Sequence, residues 1–430
     1  MSNDPFLDLA HAIRTGDTTR ADELFAQHTD LAAKLDSPIP TGAFGAKAIS
    51  LAVERSDLAM IDLLVRHGAD INGRSDWWAG SFGLLDLCPL DFAPALIERG
   101  AKVDAHAAAR LGMLDVLQQL IDANPNLVHA RGGDGQTPLH FAATVDIARF
   151  LLDRGARIDA LDVDHESTPT QWMLAERPDV ARYLVTRGCR TDILMAAALG
   201  AEELVRRHLD ADPASIRMRV SREYFPMRHP HSGGTIYQWT IGGNAYAHVA
   251  AKRFDHEDVF QMLIGRSPAD LKLAVAIQLG DEELFRAQVA ENPQLIHSLG
   301  AAERPRLVEA ARLRVAKAVR LMLEAGWPVD ARGELNGTAL HHAAWLGDAD
   351  IVRDLLAHGA PVEIRGDAYD LTPLGWALHG SVNSWRAGEG DYLSVVRLLL
   401  DAGAVAPLSV GAGQASDAVR EMLSRSKNKA

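Results

Sequence analysis

Apolar residues recur along the chain in short helical bouts, many of them closed by a glycine. Two apolar helix turns run into Arg, His or Ala, then Gly and commonly Ala, then a polar turn. The phrase reads Leu63-Leu64-Val65-Arg66-His67-Gly68-Ala69-Asp70 and returns as Leu151-Leu152-Asp153-Arg154-Gly155-Ala156. It appears again as Leu355-Leu356-Ala357-His358-Gly359-Ala360 and Leu398-Leu399-Leu400-Asp401-Ala402-Gly403-Ala404. Several neighbouring copies of the glycine, such as Gly155 and Gly188 or Gly326 and Gly359, stand about 33 residues apart, which is the signature of a stacked repeat. Gly155 suits the left-handed position that ends a helix. Asp and Asn just beyond such glycines, as at Asp70 and Asn72, favour the following turn.

A second phrase precedes several of these endings: Thr137-Pro138-Leu139-His140 followed by Ala142-Ala143. Degenerate copies begin at Thr168, Thr338 and Thr372. Thr is an N-cap, Pro fits the first helical position where no intrahelical N–H bond is lost, and paired alanines let a second helix pack close. In this order the phrases resemble the ankyrin repeat family, in a divergent, bacterial style. The resemblance implies an all-α solenoid of helix-turn-helix units. About twelve units are expected, beginning near Phe6, Ala46, Phe82, Ala105, Thr137, Thr168, Asp192, Ala245, Leu271, Arg306, Thr338 and Thr372. Three helices end on Asn124-Pro125, Asp212-Pro213 and Asn292-Pro293 in place of glycine, because Pro stops a helix. The expected organisation is an N-terminal stack over 1–215, an irregular insertion over 216–243, a C-terminal stack over 244–408, and a cap helix with tail over 409–430.

Residues 216–243 break the period. The segment is rich in β-formers around Gly233-Gly234, and a β-hairpin with these glycines in its turn is predicted. It is locally basic, with Arg217, Arg219, Arg222 and Arg228 against Glu223, and carries Tyr224, Phe225, Tyr237 and Trp239. It would either plug the stack with its aromatics or project as a finger toward a partner; packed aromatics and projecting arginines are compatible. A second departure, Ser381 to Gly390, lengthens the link between two helices and places Trp385 on a loop.

The resemblance also implies that the first helices line a concave face, with the variable positions of the Thr-Pro-Leu-His phrase pointing into it. These are Phe141, Trp172, His342 and Trp376, then Thr144, Ala175, Trp345 and His379. Successive C-terminal repeats thus bring His342, Trp345, Trp376 and His379 together, with Asp367, Tyr369 and Asp370 on the turn feeding them. Tryptophan is typical of binding hot spots, although a single ring can equally fill a gap between helices. His140, His341 and His248 fall at the family's own structural histidine.

Composition adds limits. The chain is 47% hydrophobic and 23% charged, with a net charge of −13, so it is a folded protein whose surface does not favour general adhesion to nucleic acid or membrane. Cys88 and Cys189 lie far apart and form no metal-ligand spacing. No apolar run is long enough to span a bilayer, and the N-terminal residues lack the pattern of a signal peptide, so a cytoplasmic location is expected. Arg and Ala abundance hints at a bacterial source. No nucleophile elbow, HExxH, phosphate loop or dinucleotide fingerprint occurs, so no catalytic residue and no cofactor is assigned; Gly411-Ala412-Gly413-Gln414 is only a loose phosphate-loop likeness. His229-Pro230-His231 is the best metal candidate, but its proline interrupts a strand and a third ligand, His248 or His256, would have to come from elsewhere. No metal residue is assigned.

The expected function is a non-catalytic scaffold that binds a protein partner through its groove and turn tips. Partner-binding candidates are Phe141, Trp172, His342, Trp345, Trp376, His379, Trp385, Arg222 and Arg228. The alternative is a small anionic or aromatic ligand, bound or turned over in the groove near the hairpin. An enclosed pocket would favour the alternative, and an open groove the scaffold.

Overall fold

The computed structural model describes all residues except 1–3, 40–41, 297–303, 367–369, 408, 412 and 428–430. Among the described residues, regular structure is helical, in twelve helix pairs and one final helix. Every expected repeat start lies within a few residues of an observed first helix. The first pair is Pro5–Thr15 and Thr18–Gln27, and the twelfth is Pro373–Asn383 and Tyr392–Asp401. Chain contacts divide the protein after Phe260, beyond the insertion at 216–243, into units 1–260 and 261–430.

Within each unit, first helices pack on first helices and second on second. Helix Ala339–Trp345 lies between Arg306–Arg312 and Pro373–Asn383, while Ala349–Ala357 lies between Ala316–Glu324 and Tyr392–Asp401. The alanines make this close approach possible: Ala343, Ala344 and Ala377 are fully buried. Many second helices start on an Asp N-cap. Asp17, Asp57, Asp281, Asp348 and Asp391 each accept a backbone N–H three residues on, at 2.9 to 3.3 Å. Such a cap contributes about 1 kcal/mol. The closing helix, Asp417–Lys427, covers Tyr392–Asp401. It starts after the Ala412 expected, which itself lies outside the described residues, as does the end of the tail.

The Thr-Pro-Leu-His phrase acts as a joint between repeats. The Thr137 N–H donates to Nδ1 of His140 (3.0 Å), which leaves Nε2–H to donate to the Ser167 carbonyl of the next turn (3.2 Å). His341 repeats the pattern with Thr338 (3.1 Å) and Leu371 (3.3 Å). At Thr168 the capping half of this role falls to Gln171, whose Oε1 accepts the Thr168 N–H at 2.8 Å. His248 is fully buried in the equivalent helix.

The predicted hairpin is not formed. Residues 216–243 contain no strand; an isolated bridge joins Arg219 to Tyr246, and Val220 exchanges backbone bonds with Asn244 and Ala245 (2.8 and 3.0 Å). Pro226 and Pro230 lack the N–H a ladder needs. Gly233-Gly234 serves another contact: the Gly233 N–H donates to the Asp164 carbonyl (3.1 Å). Tyr237 is fully buried, and its hydroxyl donates to Asp192 (2.9 Å), while Trp239 is exposed.

Burial drives the His140 imidazole down to about 3 from an ordinary 6.5. The unfolded chain therefore binds a proton that the folded chain refuses across this window. Stability is full above about pH 6.5 and falls as the pH drops toward 3. By about pH 5 the loss amounts to roughly 2 kcal/mol. His140→Gln, which copies Gln171, is expected to be modestly less stable at neutral pH but to lose less melting temperature between pH 7 and 5. Parallel pH slopes for the two proteins would contradict this.

Candidate functional site

The groove expected from the first helices forms in unit 261–430. Three successive repeats supply its walls: Arg312 to Arg314, then Leu335, His342, Trp345 and Leu346, then Leu371, Trp376, His379 and Trp385. It encloses about 1170 Å³ and stays open to solvent along one side. Trp376 is the hub. Its ring meets His341 (5.2 Å), His342 (5.1 Å) and Trp345 (6.4 Å) edge-on, and Trp345 leans on His379 (5.4 Å). Edge-to-face packing adds about 0.5–1.5 kcal/mol per aromatic pair beyond burial. Among the described residues no acceptor meets the buried Trp376 indole N–H, so packing of the ring has to offset that cost.

The lengthened link holds the rim. Tyr392 donates to the Trp345 carbonyl (2.9 Å) and Arg386 to that of Leu346 (3.2 Å). Trp385 is left 75% exposed, alongside Leu335 at 64% and Leu313 at 49%. So Trp385 caps no core. Arg314 pairs with Asp348 at 2.9 Å. Asp370 is exposed and paired to Arg365 (3.1 Å); Asp367 and Tyr369 lie outside the described residues.

The remaining candidates belong to unit 1–260. Phe141 is buried against His106 (5.6 Å). Trp172 packs on His165 (5.2 Å). Arg222 and Arg228 are exposed on the insertion. His229 and His231 are exposed, their rings 5.5 Å apart and both against Trp78. His256 Nε2 is bonded to the Ala198 carbonyl (3.2 Å), so this candidate metal set is not assembled.

A polar cluster that sequence reasoning missed lies in the same unit. Asp134 sits at a turn tip between Gly133 and Gly135, with φ at 53°. The next tip brings Asp162, Asp164 and His165. Backbone bonds from Val163 (2.7 Å) and Asp164 (3.2 Å) to the Asp134 carbonyl lock the tips together. Trp77 donates to Asp134 Oδ1 (2.9 Å), and Trp239 stands 4.9 Å from His165. Burial pushes the Asp134 and Asp162 carboxyls up to about 6. The signal was present: Asp134 and His165 each stand three residues before a Thr-Pro, at equivalent places in adjacent repeats.

Comparison with protein families places these elements. A model described as ankyrin repeats (3 copies) matches residues 105–195 and 247–409, more than half of the chain. The chain belongs to the ankyrin repeat family. Comparison with curated proteins returns no match. Ankyrin repeats are generally protein–protein interaction modules, and no helix among the described residues is long and apolar enough to cross a membrane. Within this ankyrin stack, Gly380 faces the Trp345 carbonyl so closely that a Cβ would overlap it. Gly380→Ala is expected to cost about 1–3 kcal/mol by overpacking and to change the groove's tryptophan emission. An unaltered denaturation midpoint and spectrum would contradict that geometry.

Proposed function

We propose that this ankyrin repeat protein recognises a protein partner through the groove spanning residues 312–385, without acting chemically on it. The carrying observation is the exposed apolar rim, Leu313, Leu335 and Trp385, around a floor of packed tryptophan and histidine rings. Large apolar side chains kept in water at the edge of an aromatic floor are what a partner's anchor residue would cover. The groove's imidazoles and guanidinium groups offer hydrogen bonds and positive charge, but among the described residues its lining includes no nucleophile beside a base. Its open side favours a macromolecule over the small aromatic or anionic ligand, which would be enclosed on most sides. A cytoplasmic setting suits buried free cysteines.

The rim residues are exposed, so changing them leaves the core intact. A Leu335→Ser, Trp385→Ala double variant is expected to melt as wild type does. Its affinity for the polypeptide that co-purifies with the wild type should fall at least about tenfold, the effect of losing a hot spot. Arg353→Ala, on an outer second helix, should bind normally. Equal capture by the double variant would overturn the groove reading. A melting-temperature rise with a small metabolite, in the absence of any stoichiometric polypeptide, would favour the ligand reading instead.

A further inference from the structure

Asp134, Asp164 and His165 come from two adjacent turn tips, and one ligand atom from each lies within 4.8 Å of the others. Their side chains are almost fully covered: 8% exposed for Asp134, 6% for Asp164 and 10% for His165. The insertion closes over them. Ser232 Oγ donates to the Asp164 carbonyl, and the Gly233 N–H donates to Asp164 Oδ1 (2.9 Å).

The imidazole's orientation points to a ligand. His165 Nδ1 lies 2.8 Å from the Gly234 carbonyl. A carbonyl only accepts, so Nδ1 carries a proton, and in the Nδ1–H tautomer the ring's lone pair is at Nε2. That lone pair faces Asp164 Oδ2 at 3.6 Å and Asp134 Oδ2 at 4.0 Å. Both separations exceed a hydrogen bond. Among the described residues, no hydrogen-bond donor reaches either Oδ2. Three electron-pair donors therefore converge in a covered site with two negative charges. A ring nitrogen turned toward a metal, with the other N–H held by a backbone carbonyl, is the arrangement that fixes a ligating histidine.

We propose that Asp134, Asp164 and His165 bind one divalent transition-metal ion of the zinc class. One imidazole with two carboxylates suits such an ion better than calcium, which takes six to eight oxygens. Three protein ligands leave at least one position for water or for a donor from a bound molecule. The ion would tie the tips of adjacent repeats together beneath the insertion and relieve the repulsion between the buried carboxylates.

The test uses the full chain after treatment with a chelator. Calorimetric titration with zinc chloride is expected to show one strong equivalent and a raised melting temperature. Cobalt chloride should give a visible d–d absorption. Asp164→Asn keeps the Oδ1 acceptor for Gly233, and Asp134→Asn keeps the one for Trp77. Both should therefore stay folded without metal, as their melting curves in chelator will report. Each should bind zinc at least about tenfold more weakly and lose the cobalt spectrum. Wild type that binds no zinc, or Asp164→Asn that binds it equally, overturns the proposal. So does binding abolished by His229→Ala, His231→Ala but kept in Asp164→Asn, which would place the ion on the exposed histidine pair.

Discussion

Each helix pair in this protein has an apolar face that only its neighbour in the stack can cover, and the rest of the structure follows from that constraint. A short first helix such as Pro138–Phe141 is four residues long, well below the length at which a helix holds itself together in water. It persists because Leu139 and Ala142 are fully buried between repeats and because His140 ties its start to the next turn. Stability is therefore a sum of nearest-neighbour contacts. Tolerance of divergent sequence has the same source. Gln171 replaces histidine in one joint, and Pro replaces glycine at three helix ends, without breaking the file.

The features that were legible in the sequence are those with a fixed period. The Gly-Ala endings and Thr-Pro starts located the clearest helix pairs, since caps and breakers act within a few residues of where they stand, and helical periodicity with the Asn-Pro and Asp-Pro endings located the rest. The groove was legible for the same reason: His342 and Trp376 occupy one position of successive repeats, and Trp345 and His379 another, so the stack brings them together. Trp385 was noticed as out of place, but its place at the groove rim depends on how Ser381 to Gly390 folds back. The insertion was misread because a run of β-formers around two glycines satisfies the hairpin pattern locally. The contacts that decide its path, from Gly233 and Ser232 to Asp164, are distant in sequence. The buried acid–histidine cluster depends on that same path, so its enclosure had no local signal even though its ligand types were visible.

The tryptophans divide the chemistry of the two units. Trp77, Trp172 and Trp239 surround the carboxylates and His165 of the turn tips in unit 1–260, and Trp78 stacks on His229 of the insertion. Trp345, Trp376 and Trp385 build the groove of unit 261–430, and Trp327 is a core residue. In the groove the rings present apolar surface with few charges. At the turn tips they shield charged groups from water, which strengthens any electrostatic interaction made there. The first arrangement suits recognition of an apolar anchor, and the second suits a cation.

The most direct measurement of the central claim is hydrogen–deuterium exchange of the protein alone and in complex with a polypeptide captured by the wild type. Recognition through the groove predicts slowed exchange in segments 312–314, 335–346 and 371–386, with the outer helices Ala349–Ala357 and Tyr392–Asp401 little changed. Protection confined to those outer helices, with the groove segments exchanging as in the free protein, would contradict the account.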